Sequence, residues 1–226
     1  MTRRPPDGSD HGQPTPPGPA PAGDQGGSSA EWDQRYTEAD QVWSGQPNGT
    51  LVAEITGRPP GRALDVGCGE GADAVWLAGQ GWQVTALDVS AVALGRAALL
   101  AEEAGAVVDW RHAGLLEAGL PAASFDLVSA QYPALPRTPE HAVERSLVSL
   151  VAPGGMLLVV HHAHHTAEHD RSRGFDPDDY VSPAGVVAQL DEDWDLEVHQ
   201  TRPRTVTGGA GAHHPEDIVV RARRLR

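Results

Sequence analysis

The chain predicts an α/β domain of the doubly wound class, a mostly parallel sheet with helices on both faces. Three observations predict it. Short apolar runs that end at glycines or polar turns alternate with helical stretches, and that spacing requires right-handed crossovers between parallel strands. Met156 to Val160 is continuously apolar, as a strand covered on both faces must be. The length of 226 residues is enough for one large domain of this kind with a real core.

Each element has a local cause. Residues 1–28 are expected to form a disordered tail. The first 30 residues hold seven prolines and six glycines and no aromatic or β-branched apolar side chain, too little apolar surface to offset the entropy of ordering. The ordered domain, 29–226, opens with a helix at Ser28 and Glu31, which have the capping-box spacing. Trp32 and Tyr36 share one face of that helix. A second helix runs from Leu51 to Thr56 behind an Asn48 cap, and Pro59-Pro60-Gly61 turns the chain. Arg62 to Val66 is the first strand, with a helix after it from Ala72 to Gln80 that Gly81 stops. Gln83 to Leu87 is the second strand, and Ser90 caps a helix that ends at Ala104 before Gly105. Val107 to His112 and Phe125 to Gln131 are the third and fourth strands. Thr138 and Pro139 supply the cap and first position of a helix reaching Leu150. Pro153-Gly154-Gly155 reads as a sharp turn before the fifth strand, and a polar stretch occupies 161–181. Ser182-Pro183 opens another helix, and strands near Asp195 to Arg202 and Ile218 to Arg224 flank a glycine-rich connection. Ligands of such folds sit beyond the carboxyl ends of the strands, which singles out the segments after Val66, Leu87, His112, Gln131 and His161.

Composition narrows the partners. Thirty-one acidic residues against 17 basic ones give a formal charge of −14, which opposes a phosphate backbone and an anionic membrane. No nucleic-acid or membrane partner is therefore expected. All 17 basic residues are arginines, so neither a lysine Schiff base nor a Walker-type phosphate loop is possible. Cys68 is the single cysteine, which excludes an internal disulfide and multi-cysteine zinc sites. No apolar run is long enough to span a bilayer, and Arg3-Arg4 lead into Pro5-Pro6-Asp7 rather than an apolar segment. A cytoplasmic location is the expectation. The acidic stretch from Glu168 to Glu197 reads as a solvated flap, and Arg221 to Arg226 as a frayed strand terminus.

The first strand ends in Leu64-Asp65-Val66-Gly67-Cys68-Gly69-Glu70-Gly71-Ala72. Gly67 and Gly69 let a ligand approach the backbone, and with Ala72 they also fit the dinucleotide pattern. Asp65 and Glu70 separate the two ligands. A pyrophosphate would be repelled by carboxylates here, whereas S-adenosylmethionine brings a sulfonium and an ammonium and no phosphate. Asp88, at the end of the second strand, suits the ribose hydroxyls of either ligand. Cys68 needs no role beyond its small size between two glycines.

The loop just quoted, together with Leu87-Asp88-Val89-Ser90, resembles the cofactor signature of class I S-adenosylmethionine-dependent methyltransferases. Phe125-Asp126-Leu127-Val128 and Pro153-Gly154-Gly155 resemble that family's later landmarks, and the likeness runs from about Trp32 to Arg224. It implies a seven-stranded Rossmann-like sheet whose last two strands form a reversed hairpin. It implies S-adenosyl-L-methionine as cofactor, with Asp65 and the backbone of Gly67, Cys68 and Gly69 on its methionine part and Asp88 and Val89 at the ribose. Gly114 and Leu115 would edge the adenine, and Gln131 would complete the cofactor contacts. Many relatives have an acidic residue where Gly114 stands, so adenine recognition here would fall to backbone groups.

Trp32 to Tyr36 and Trp43 to Asn48 resemble the segment ahead of the cofactor loop in the tellurite-resistance and thiopurine methyltransferase-like branch. That likeness makes Tyr36 and Trp43 candidates for a lid over a substrate pocket; otherwise they staple a helix to the sheet. Tyr132 lies at another edge of the same pocket, or anchors a loop. The implied acceptor is a small molecule with a sulfur, selenium, tellurium, oxygen or nitrogen nucleophile. In-line displacement requires a general base only when that nucleophile arrives protonated. Three readings compete for His161, His162, His164, His165 and His169: base or orienting group, metal ligands with His213 and His214, or solvated loop. His162 and His165 are the candidate bases, and no metal ligand set is assigned. Two rival functions stand beside this one: an NAD(P)-dependent Rossmann oxidoreductase, and a noncatalytic binding protein with a metal-sensing histidine loop.

Overall fold

Seven strands form one sheet in the order β3-β2-β1-β4-β5-β7-β6 in the computed structural model, which describes residues 28–163, 177–204 and 214–226. They are β1 (Arg62–Val66), β2 (Gln83–Asp88), β3 (Val108–His112), β4 (Phe125–Gln131), β5 (Val151–His162), β6 (Trp194–Pro203) and β7 (Glu216–Arg224). The first five run parallel, and β7 pairs antiparallel with both β5 and β6. The doubly wound expectation and the reversed terminal hairpin are both met.

Among the described residues six α-helices cover the sheet: α1 (Ser29–Thr37), α2 (Gly49–Ile55), α3 (Ala72–Gly79), α4 (Ala91–Ala104), α5 (Ala142–Leu150) and α6 (Pro183–Val187). Strand residues alternate between two apolar layers. Leu64, Val66, Val128 and Leu157 pack with Leu147 of α5 and Val186 of α6 on one face. Ala63, Leu127, Leu158 and Val219 pack with Leu51 of α2 and Leu77 of α3 on the other. Ser28 forms the expected capping box, and Ser90 caps α4 by accepting the Ala93 N–H. No helix among the described residues is long and apolar enough to cross a membrane. The tail 1–27, His164, His165, His169 and His213 lie outside the described residues.

Four local readings are corrected. Asn48 stands at the N-cap of α2 but makes no cap hydrogen bond with its side chain, because its backbone N–H and its amide both donate to Asp73, each at 2.7 Å. Pro139 begins a 3-10 turn rather than the long helix. Glu140 and His141 adopt left-handed φ of 56°, so α5 starts only at Ala142. Pro153-Gly154-Gly155 is a bulge inside β5, not a turn before it: pairing passes from Phe125 opposite Val151 to Leu127 opposite Met156. Finally, Arg221 to Arg224 are not frayed. The hairpin reverses so that β7 lies between β5 and β6, with Arg221 paired to Leu158 on one side and Val198 on the other.

Candidate functional site

The sheet order reverses between β1 and β4, and the crevice at their carboxyl ends is where such folds bind ligands. The β1–α3 turn fills the floor of this crevice. Gly71 has φ of 84°, and a Cβ there would stand 2.6 Å from the Ala97 Cβ and 2.9 Å from Trp110, so α4 and β3 close over the turn only because the side chain is missing. The Cys68 N–H donates to the Leu87 carbonyl at 2.9 Å and ties the loop to β2.

Three carboxylates gather beneath the loop. Asp88 accepts from the Gly69 N–H and the Ser90 N–H, each at 2.8 Å, one on each oxygen. Asp73, absent from the sequence-based site, is buried against Asn48. Asp65 is also buried, and its Oδ2 has no hydrogen-bond partner among the described residues. Burial first, then the charges of Asp73 and Asp88, push the Asp65 carboxyl well above the ordinary range, with the Ala74 amide opposing. Burial likewise raises Asp73 and Asp88. Gln131, on the same face of the neighbouring strand, donates to the Ser129 hydroxyl at 3.0 Å, and its buried Oε1 has no partner among the described residues. Two orphaned acceptors flanking one crevice call for a donor, best a cationic one.

These raised carboxyls make stability depend on pH. A carboxyl whose folded pKa exceeds its unfolded value contributes stability at low pH and loses it as pH rises through the folded value. Asp65→Asn is therefore expected to raise the thermal midpoint of the ligand-free protein at neutral pH, and to flatten the decline that begins above about pH 4, near the ordinary carboxylate value. Melting curves of both proteins between pH 4 and 8 check it, and an Asp65→Asn midpoint below wild type at pH 7 would contradict it.

The amino-terminal segment covers the loop. The Trp43 indole N–H donates to the Tyr36 hydroxyl at 2.8 Å, and both lie where a Gly69 side chain would be, 2.9 Å (Tyr36) and 3.0 Å (Trp43) from its Cβ position. Burial first, then the charge of Asp88, pushes the Tyr36 phenol up. Asp33 accepts from the Ser90 hydroxyl at 2.6 Å and fastens α1 to the start of α4. Glu70 changes role here. Its carboxylate accepts from the Val42 and Trp43 N–H groups and from Arg96, which also donates to the carbonyls of Tyr36 and Ala39. It is a neutralised fastener of the covering segment, not a charge open to a ligand cation.

After β3, Leu115 is buried in the core layer that contains Val66 and Leu87. Gly114 has Val89 Cγ1 at 3.8 Å from its Cβ position, and the carboxylate of Glu117 reaches over that same position. An acidic side chain thus stands beside Gly114 from three residues on, a neighbour visible only once the chain after β3 is folded.

Across the crevice, Tyr132 holds a left-handed φ of 52°. Its N–H donates to Val160 at 2.7 Å and its hydroxyl to Asp217 Oδ2 at 2.6 Å. The next residue, Pro133, packs 3.5 Å from the Cβ position of Gly67. The His162 ring stacks on Tyr132 with centroids 4.3 Å apart, and His214 stacks on His162 at 4.1 Å. The His162 Nδ1 lies 3.3 Å from Arg204 and 3.5 Å from Asp217 Oδ1. His162 is thus part of a stack against Tyr132, while His165, the other candidate base, lies outside the described residues.

Residues 63–155 match the family model described as "Methyltransferase domain". An uncharacterized methyltransferase of Mycobacterium tuberculosis is 40% identical over 97 residues, covering 43% of this chain and 48% of that relative. A ubiquinone biosynthesis O-methyltransferase of Aromatoleum aromaticum is 39% identical over 99 residues, covering 43% of this chain and 42% of its own. The chain therefore spans about half the length of the curated relatives it matches. The solved structure of N-methyltransferase NodS from Bradyrhizobium japonicum, in complex with S-adenosyl-L-homocysteine, has a TM-score of 0.65 at 20% identity, covering 88% of this chain and 100% of NodS. That likeness shows the fold: the architecture is the Rossmann-like methyltransferase one.

Proposed function

We propose that this chain is an S-adenosyl-L-methionine-dependent methyltransferase acting on a small-molecule acceptor. One observation carries the reading: the crevice at the end of β1 holds the buried Asp65 Oδ2, without a hydrogen-bond partner among the described residues, with Asp73 and Asp88 behind it. Such a floor attracts a ligand with an ammonium and a sulfonium and repels a diphosphate. The residues fit that cofactor. Asp65 and the Gly67 to Gly69 backbone would hold its methionine part, Asp88 and Val89 its ribose, and Gln131 a further polar contact. Glu117 and the backbone at Gly114 and Leu115 would meet the adenine. When bound, the cofactor supplies an activated methyl group; the chain supplies alignment and exclusion of water.

Tyr36, Trp43 and Tyr132 wall the acceptor side, in keeping with the likeness of the amino-terminal segment to the tellurite-resistance and thiopurine branch. The protein of Aromatoleum aromaticum, an O-methyltransferase of ubiquinone biosynthesis, supports an acceptor of small size. The net charge of −14 disfavours nucleic acid and anionic membrane as partners. Calorimetry with S-adenosylhomocysteine and with NADH tests the reading. The homocysteine compound is expected to bind and NADH to give no heat; the reverse pattern would establish the oxidoreductase alternative.

A further inference from the structure

Three strand ends converge beside the glycine loop, and the sequence separates them widely. Tyr132 follows β4, His162 ends β5 and Asp217 begins β7, opposite His162 in the antiparallel register. Because β7 runs backwards, its first residues reach the same edge as the last residues of the parallel strands. Tyr132 holds a backbone conformation that costs about 1–3 kcal/mol for a residue with a side chain. Its N–H, its hydroxyl and its ring are each held by a separate contact, so the cost is met by the surroundings. Strain of this kind gathers where a side chain must be aimed.

The direction of the Tyr132–Asp217 hydrogen bond decides what the phenol can offer. A carboxylate only accepts, so the phenolic proton points to Asp217 Oδ2, at a length typical of a charge-assisted O–H···O bond. What remains on the Tyr132 oxygen is lone-pair capacity, which receives a proton rather than giving one. Asp217 is 2% exposed, and its Oδ1 has no hydrogen-bond partner among the described residues. Its carboxylate therefore has acceptor capacity to spare. Around the pair stand His162 from β5, Arg204 from the end of β6 with its guanidinium 4.8 Å from the Tyr132 ring, His214 ahead of β7, and Asp73 from α3. Burial first, then Asp217, keeps the phenol protonated.

We infer that Tyr132 is the catalytic group that receives the acceptor's proton, with Asp217 its positioning partner, so that the acceptor is a hydroxyl or amine that arrives protonated, of which phenols and anilines are the probes, rather than a preformed thiolate. The inference rests on the methyltransferase reading above and names its substrate class. In the step, the acceptor's oxygen or nitrogen bonds to the methyl carbon while that carbon's bond to the sulfonium sulfur breaks, leaving a neutral thioether. The acceptor's proton passes to Tyr132 Oη, and the phenolic proton passes to Asp217 Oδ2.

The test uses Tyr132→Phe and Asp217→Asn in the full chain, with three readouts. S-adenosylhomocysteine binding by calorimetry is expected to be unchanged in both; failure to bind to wild type removes the methyltransferase reading itself. With that compound bound, wild type is expected to prefer catechol to its dimethyl ether, and Tyr132→Phe to lose about five- to tenfold of catechol affinity only. In turnover assays with S-adenosylmethionine, each variant is expected to lose roughly 10²–10⁴-fold on catechols, phenols and anilines. Thiophenol, ionised at the assay pH, should change little. Equal losses on both acceptor classes would mark a purely structural role and overturn the inference. So would no loss in either class, turnover of thiophenols alone, or wild type that binds the homocysteine compound yet turns over neither class.

Discussion

Replacing Glu54 by alanine is expected to lower stability by about 2–4 kcal/mol, near the lower end of the loss caused by removing one partner of a buried ion pair. Glu54 sits on α2, 8% exposed, and its two carboxylate oxygens accept from Arg202 of β6 and Arg221 of β7. Arg221 also reaches Glu197 at 2.9 Å. Without Glu54 the two guanidiniums face each other with less compensation, and the amino-terminal cover loses its tie to the hairpin. The arginine side chains are 30% and 22% exposed, and solvent screening keeps the loss below that of a fully buried pair. For a chain of this size the change corresponds to roughly 4–16 °C in the thermal midpoint. Burial pushes the Glu54 carboxyl up, but the hydrogen bond and charge of Arg202 and the charge of Arg221 outweigh it and hold it below the ordinary range. That contribution is present above the unfolded carboxylate value and fades as pH falls through the folded one. A thermal shift between Glu54→Ala and wild type that is large at pH 7 and small near pH 3 checks both statements. A shift under about 2 °C at pH 7 would show the network to be screened away.

Replacing Asp88 by alanine is expected to weaken S-adenosylhomocysteine binding by about 1–3 kcal/mol, roughly 5- to 150-fold, through two lost ribose hydrogen bonds to a charged acceptor. The geometry adds a second cost. Asp88 already receives the Gly69 and Ser90 N–H groups, so alanine also frees the loop donors that shape the crevice. Asp88→Asn keeps one acceptor oxygen and should fall between wild type and alanine. Calorimetry on the three proteins decides it, with a circular-dichroism melt to register any loosening of the loop. Unchanged affinity in Asp88→Ala would remove Asp88 from the cofactor site.

Much of the frame is readable from short stretches of chain. The capping box at Ser28 and Glu31, the Ser90 cap, the left-handed glycine at Gly105 and the apolar runs of β1, β4 and β5 are local signals. Each acts within a few residues through hydrogen bonds or backbone preference. The glycine loop and Asp88 belong to the same class. The misreadings are equally local in origin. Pro139 looks like a first helical residue, and nothing near it announces that Glu140 and His141 turn left-handed. Asn48 looks like a cap until Asp73, 25 residues on, takes both of its donors.

The amino-acid order by itself determines alternating strands and helices, a glycine turn rich in carboxylates, and a net charge of −14. Those features arise from side-chain period, φ preference and charge, which need no neighbour from far along the chain. Folding alone decides that Glu70 is spent on the covering segment, that the Glu117 carboxylate stands over Gly114, and that Tyr132 meets Asp217 across 85 residues. The reason is that strand order and register choose which distant side chains share an edge, and only the packed sheet sets them.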